Sequence, residues 1–223
     1  MTPPSFGPDL RAVVIGAGGG IGGALVAALE DRGEVFALQR ADLDLTDPTS
    51  ITAAAARIDG PLDFVIVATG VLGTPEKALR DLDATKLAAQ FAVNAIGPAL
   101  VARAFLPKLR TDRKTVFAAL SARVGSIEDN RLGGWHAYRA SKAALNQFVR
   151  TIAIEHARRC PLGLCVTLHP GTVDTRLSAP FQRGVRDLFT PVVAAGHLLT
   201  VIDGLEPADT GGFFAWDGAR IAF

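Results

Sequence analysis

Residues 11–22 read Arg11-Ala12-Val13-Val14-Ile15-Gly16-Ala17-Gly18-Gly19-Gly20-Ile21-Gly22. A short apolar run meets glycines at once. A stretch of helical period follows, with Ile21, Ala24, Leu25, Ala28 and Leu29 on one face and Gly33 as the stop. The spacing predicts a strand, a tight turn and a helix over residues 21–32. Glycines let a backbone turn sharply and approach a pyrophosphate, whose charge is held by the free N–H groups of the helix start. In this position the turn predicts dinucleotide binding. The plainer alternative is a turn whose small residues serve packing alone.

The same alternation continues along the chain. Apolar runs predict strands over residues 34–38, 62–68, 114–120, 163–168 and 212–215, with a short one over 42–45. Helical periods cover residues 85–109, 137–158 and 192–202, the first interrupted near Asn94, Gly97 and Pro98. Asp47-Pro48 starts another helix, with the acid as N-cap and proline in the first turn. The strands are continuously apolar rather than alternating, as in a parallel sheet covered on both faces. The expectation is one α/β domain over residues 1–223. It is a three-layer, doubly wound Rossmann fold with a parallel sheet of about seven strands.

The chain has 223 residues, of which 49% are apolar and 20% charged, enough for one sizeable core and too apolar for intrinsic disorder. Lys and Arg number 23 against 22 Asp and Glu, so no strong field draws nucleic acid or an acidic membrane surface. Two cysteines, Cys160 and Cys165, make no disulfide framework. Residues 1–10 are Pro-rich and lack the pattern of a signal peptide. No uninterrupted run of about 18 apolar residues suggests a membrane span. A soluble, cytoplasmic protein is expected. His156, Cys160, Cys165 and His169 do not show paired zinc-ligand spacing, and no metal site is expected.

Dinucleotide folds commonly place an acid at the end of the second strand, where it binds a ribose hydroxyl. Here Gln39 and Arg40 stand there. Without a carboxylate a 2′-phosphate is not repelled, and a guanidinium can hold it in a bidentate pair. This points to NADP(H), with NAD(H) as the alternative. Farther on, Tyr138 and Lys142 are four apart at the start of a predicted helix, hence on one face. A phenol titrates near about 10, and a fixed cation beside it favours the phenolate. Such a phenol is matched to proton transfer near neutrality.

Several features together resemble the short-chain dehydrogenase/reductase family, in the family's order and across essentially the whole chain. They are GAGGGIG at 16–22, Asp44-Leu45, Asn94, YRASK at 138–142, Pro170-Gly171-Thr172-Val173 and Trp216-Asp217-Gly218. The segments Ser121-Ala122-Arg123-Val124-Gly125-Ser126-Ile127 and Asp129-Asn130-Arg131-Leu132-Gly133-Gly134-Trp135 are similar to its C-factor-like and sniffer-type carbonyl reductase subgroup. The resemblance implies an NADP(H)-dependent oxidoreductase acting on a small carbonyl or alcohol substrate. In a C-factor type of protein it implies, alternatively, a nucleotide-binding sensor with little turnover. Gly16, Gly18, Gly20, Ile21 and Gly22 would surround the pyrophosphate, and Asp44 and Leu45 the adenine. Thr69 and Gly70 would lie near the adenosine ribose, with Pro170, Gly171 and Val173 against the nicotinamide. Tyr138 would act as general acid/base. Lys142 would bind the ribose and lower the Tyr138 pKa, and Asn94 would bend its helix and position a relay water. A homodimer or homotetramer through the helices over 85–109 and 137–158 is implied as well.

Two positions depart from the family pattern. Val67-Ala68-Thr69-Gly70 stands in place of Asn-Asn-Ala-Gly. Ala122 stands where the family's catalytic serine is expected, with Ser121 just before it. Neighbouring strand residues face opposite sides, so Ser121 needs a re-aimed backbone to substitute; Ser126 and Asn130 are other candidate donors. By position, residues 172–191 form the substrate loop, with Pro180, Phe181, Phe189 and Pro191 in it. Trp135 and Trp216 read as core or interface residues.

Overall fold

The computed structural model describes residue 6 and residues 9–223. Most of the Pro-rich stretch read as free of a signal peptide lies outside the described residues. The elements in chain order are β1 (Leu10–Ile15), α1 (Gly20–Leu29), β2 (Gly33–Leu38), α2 (Pro48–Ala56), β3 (Phe64–Val67), α3 (Ala84–Phe91) and α4 (Gly97–Phe105). There follow β4 (Thr115–Leu120), α5 (His136–Ala157), β5 (Gly163–His169), β6 (Thr172–Val173), β7 (Leu188–Phe189), α6 (Pro191–Gly204) and β8 (Phe213–Ala215).

Successive strand residues face opposite sides of a sheet. Val13, Ile15, Val65, Val67, Phe117 and Ala119 pack on Ile51 of α2, Val101 and Phe105 of α4, and Leu145 and Val149 of α5. Their neighbours Ala12, Val14, Phe64, Ile66, Val116 and Ala118 pack on Leu25 and Leu29 of α1 and Leu198 and Ile202 of α6. Both faces are dry, which is why the strands read as unbroken apolar runs. Six strands pair in the order β2-β1-β3-β4-β5-β8, each neighbour parallel. The chain is an α/β doubly wound domain.

Local chemistry sets the helix starts. The Asp47 side chain accepts from the Thr49 N–H at 2.8 Å, with Pro48 behind it. Asp83 accepts from the Lys86 N–H at 2.8 Å at the start of α3. The interruption expected near Asn94 is a π-helical turn, Ala92–Ile96, that joins α3 to α4. Pro98 has no N–H for the carbonyl four residues back, and the wider turn absorbs that loss. By length and composition alone, the run Ala84–Lys108 could cross a membrane. In the fold its Ala95, Val101, Ala102 and Phe105 are buried against the sheet.

Two expectations are corrected. Residues 42–45 form no strand, so the sheet has six strands among the described residues rather than seven. The N–H groups of Asp42 and Leu43 both donate to Gln39 O at 3.0 Å, and that of Asp44 to Ser50 Oγ at 2.9 Å. Amides used locally cannot join a ladder. The predicted loop after β5 is also more ordered than its sequence suggests. It carries the small parallel pair β6–β7 and a 3₁₀ turn, Ala179–Phe181.

Phe117 is fully buried at the middle of β4, under α5. Phe117→Ala is expected to lower unfolding free energy by about 3–5 kcal/mol, read by urea titration. A loss well under about 1 kcal/mol would contradict this account of the core.

Candidate active site

Strand order reverses between β1 and β3, and open α/β sheets bind ligands beyond the strand ends at such a reversal. Here the glycine turn, residues 68–73 after β3, the end of β4, the start of α5 and the segment after β5 enclose a cleft of about 620 Å³. Two glycines make the turn possible. Gly16 has φ +91°, and a Cβ there would lie 2.7 Å from Thr69 Cγ2 and 2.9 Å from Ala68 O. A Cβ at Gly22 would run into the carbonyl of Gly16. The N–H groups of Gly16 and Ala17 donate to Leu38 O at 2.8 and 3.1 Å, which ties the turn to β2. No side chain caps α1 at Gly19, so its first-turn N–H groups have no side-chain acceptor.

Gly18, Gly20, Ile21, Thr69, Gly70, Ser121, Tyr138, Lys142 and Pro170 all line this cleft. The Ser121 N–H donates to Leu168 O at 2.7 Å, continuing the β4–β5 ladder, while its Oγ is buried with no partner. Ala122 does not line the cleft. The two other candidate donors do not line the cleft, and their oxygens accept within their own loop. Ser126 Oγ accepts from the Asp129 N–H at 3.0 Å, and Asn130 Oδ1 from the Gly133 N–H at 3.0 Å. Of the three hydroxyl or amide candidates, Ser121 is the one beside Tyr138.

Lys142 is only 2% exposed and its Nζ donates to Leu120 O at 2.7 Å. The ammonium lies 5.9 Å from the centroid of the Tyr138 ring. The cation is expected to lower the phenol's pKa, and burial opposes that effect. Burial raises Tyr138 to about 12 and lowers Lys142 to about 7. One cause acts on both, because a dry cleft penalises whichever form is charged. Burial makes Lys142 easier to deprotonate, which weakens the fixed charge that opposes the desolvation of the phenol.

Asn94 lies in the π turn, 1% exposed. Its Nδ2 donates to Val71 O at 2.8 Å and Ser141 Oγ at 3.0 Å, and its Oδ1 accepts from the Val71 N–H at 2.9 Å. The amide therefore fastens the loop after β3 to α5. A Cβ on Gly70 would lie 3.5 Å from Lys142 Nζ and 3.7 Å from Asn94 Oδ1, so both groups face the same point.

Arg40, Asp44 and Leu45 lie outside the cleft wall. Arg40 is exposed, 3.8 Å from Asp44 Oδ2. Asp44 Oδ1 accepts from the Thr46 N–H and hydroxyl at 2.8 and 2.7 Å, which holds its carboxyl below the usual range. Leu45 is buried beneath Gly97, where a Cβ would come within 2.7 Å of Leu45 Cβ. Gly171 (φ +77°) lies against Phe189 and Trp216, and Val173 is buried; neither lines the cleft. Trp216 meets Phe189 edge to face, with ring centroids 4.7 Å apart. Trp135, read as core or interface, instead packs on the site. Its ring centroid is 6.2 Å from Tyr138 and 4.8 Å from Phe181. Thr175, Leu177, Pro180 and Phe181 line the substrate side. Thr175 went unnoticed in the sequence; the available signal was a threonine five residues past Pro170 in the predicted loop. Among the described residues no group of three or more His, Cys, Asp or Glu side chains is gathered as a metal site.

The family model for short chain dehydrogenases matches residues 30–185. The chain is 40% identical over 163 residues to the C-signal of Myxococcus xanthus, covering 73% of this chain and 93% of that protein. It is 35% identical over 225 residues to 1-hydroxy-2-glutathionyl-2-methyl-3-butene dehydrogenase of Rhodococcus sp. (strain AD45), covering 92% and 96%. Its fold is similar to that of the NADPH-bound carbonyl reductase from chicken fatty liver, with TM-score 0.83, 26% identity and coverage of 96% and 99%. For the carbonyl reductase Sniffer of D. melanogaster the TM-score is 0.82 at 22% identity, with coverage again 96% and 99%, a likeness of fold. The matched span reaches from just past the end of α1 through β5 into the segment after it, and so takes in Asn94, Ser121, Tyr138 and Lys142. By that match and by the cleft in which they meet, the chain belongs to the short-chain dehydrogenase family.

Proposed function

We propose that this chain is an NADP(H)-dependent oxidoreductase that reduces a carbonyl, or in reverse oxidises a secondary alcohol, with Tyr138 as general acid/base. The observation that carries the reading is the meeting of the Tyr138 phenol, the unpartnered Ser121 hydroxyl and the Lys142 ammonium in one cleft facing the glycine turn. The residues fit a bound dinucleotide. The start of α1 is uncapped and close-approached by backbone, and Thr69 Oγ1 is buried without a partner beside it. Arg40 would take the 2′-phosphate, since Asp44 holds it only at 3.8 Å. The NADPH-bound chicken reductase supports this choice over NAD(H).

When bound, the nicotinamide supplies the hydride. Ser121 Oγ would donate to the substrate oxygen, and Tyr138 would deliver the proton to that atom. Lys142 would take up a full charge as an anion enters the cleft, and the phenol's pKa would fall with it. The apolar walls at Leu177, Pro180 and Phe181 would accept the rest of a small substrate. A second reading, a nucleotide-binding signalling protein with little turnover, is favoured by the likeness to the C-signal.

Turnover separates the two. With a panel of aldehydes, ketones and quinones, NADPH oxidation should be measurable at the nicotinamide absorbance, and NADPH should bind more tightly than NADH. Tyr138→Phe should abolish turnover, and Ser121→Ala should lower it by about 10²–10³. Full activity of Tyr138→Phe would end the proposed mechanism. No turnover with any carbonyl would leave the signalling reading.

Ile96 at the junction of α3 and α4, and Phe148 and Ile154 on α5, stay exposed in the single chain. We infer a homodimer or homotetramer that covers them. Light scattering at micromolar concentration should give at least twice the chain mass; a monomer mass would refute it.

The buried lysine also makes a prediction for stability. In the unfolded chain Lys142 titrates near 10.5, in the fold near 7. Between those values the unfolded state binds more protons, so stability of nucleotide-free protein should rise with pH across that window. Tyr138, raised from 10.0 to about 12, acts oppositely and only above about 10. In urea titrations across pH 7–10, Lys142→Met should flatten the rise; an unchanged slope would show that the ammonium is not its source.

A further inference from the structure

Helix α5 carries Tyr138 and Lys142, yet its start has no cap of its own. Gly133, Gly134 and Trp135 run in succession at left-handed φ of 63°, 64° and 54°. Trp135, in the N-cap place, makes no side-chain cap bond. A left-handed backbone is uncommon for so large a residue and costs on the order of 1–3 kcal/mol unless its surroundings impose it. The helical N–H groups behind it are also buried, for Ala137 is fully enclosed.

The missing acceptor comes from the opposite wall of the cleft. Glu76, in the segment between β3 and α3, is 4% exposed. Its backbone oxygen accepts from the Trp135 N–H at 2.7 Å, and its Oε2 from the Ala137 N–H at 3.2 Å. Its Oε1 is buried without a partner. A carboxyl group with an unpaired buried oxygen is an expensive way to cap a helix. A serine or aspartate in place of Trp135 would cap it locally at less cost. What the costlier arrangement adds is a connection. The segment that holds Glu76 is fastened to α5 a second time, where Asn94 bridges both polar backbone atoms of Val71 to Ser141 Oγ. Ala137 and Ser141 are one helical turn apart, and Tyr138 lies between them.

We propose that Glu76 is a positioning residue. It ties the cleft wall to the first turn of α5, imposes the left-handed turn at Trp135, and thereby holds the Tyr138 ring and the indole packed on it in their places. Glu76 acts through Tyr138 and Trp135 and does not itself line the cleft. The effect on catalysis rests on the reading of Tyr138 as proton donor; the effect on its position does not.

The chain contains a single tyrosine, so protein labelled with ¹³Cζ-tyrosine gives one NMR signal that reports Tyr138 alone. Glu76→Gln retains an acceptor oxygen, whereas Glu76→Met fills a similar volume without one. Glu76→Gln should keep the wild-type chemical shift and a kcat within about threefold. Glu76→Met should shift or broaden the signal and lower kcat at least about tenfold, with the Kd for NADPH unchanged, as expected for a misplaced reacting group. A wild-type signal and kcat in Glu76→Met would overturn the proposal. Should that variant fail to fold, Ala137→Pro deletes the same N–H donor at a helical position where proline is tolerated, and an unmoved signal there would overturn it equally. If the wild-type protein reduces no carbonyl, the functional reading fails while the NMR comparison still decides the role of Glu76.

Discussion

The Lys142 ammonium donates to the carbonyl of Leu120, the last residue of β4, in a cleft that leaves it 2% exposed. A charge so placed is tolerated only because a backbone oxygen receives it, and even then it gives up its proton far more readily than in water. That bond fastens α5 to the sheet at the strand end. It obliges the turn after β4 to pack directly on the helix. A Cβ at Gly125 would lie 2.7 Å from Lys142 Cβ and 2.9 Å from its carbonyl carbon. With Lys142 fixed, Tyr138 one turn earlier faces the same cleft, next to Ser121.

The two ends of the sheet treat polar groups differently. At the amino end the buried Asp63 carboxylate accepts from the Arg11 N–H at 2.9 Å and Arg113 Nε at 2.7 Å, with Arg110 3.3 Å away. That cluster joins β1, β3 and the approach to β4, and its buried carboxylate is paired with two guanidinium groups. At the carboxyl end, Ser121 and Thr69 hydroxyls are buried and unmatched, and the first turn of α1 has no side-chain acceptor. Buried polar atoms without partners are rare in folded proteins, and the Ser121 and Thr69 hydroxyls are two that face the cleft, where a ligand could complete them.

Much of the fold was legible because its cause is periodic. The helix expected over residues 137–158 is observed over His136–Ala157, and the runs at 114–120 and 163–168 are strands within a residue or so. Asp47-Pro48 starts α2 as its chemistry requires. Residues 42–45 misled because an apolar pattern says nothing about which carbonyl takes the amide protons, and Gln39 takes two of them. The replacement of Ala122 by Ser121 in the cleft was open for a similar reason. Adjacent residues differ by half a turn of the strand, and only the path of the chain at the end of β4 selects one.

The order of residues alone specified the parallel α/β sheet, the glycine turn and the Tyr138–Lys142 pair, since each depends on neighbours within one or two turns of chain. It could not specify the protonation of that pair. Spacing says that a cation is near a phenol; the direction of the shift depends on how much water is excluded by atoms from five separate segments, and that exclusion raised the one and lowered the other. Nor could it announce Glu76, whose partners Trp135 and Ala137 are about sixty residues away. Local pattern encodes which face of an element is apolar; desolvation and capping across the cleft arise only when distant segments meet.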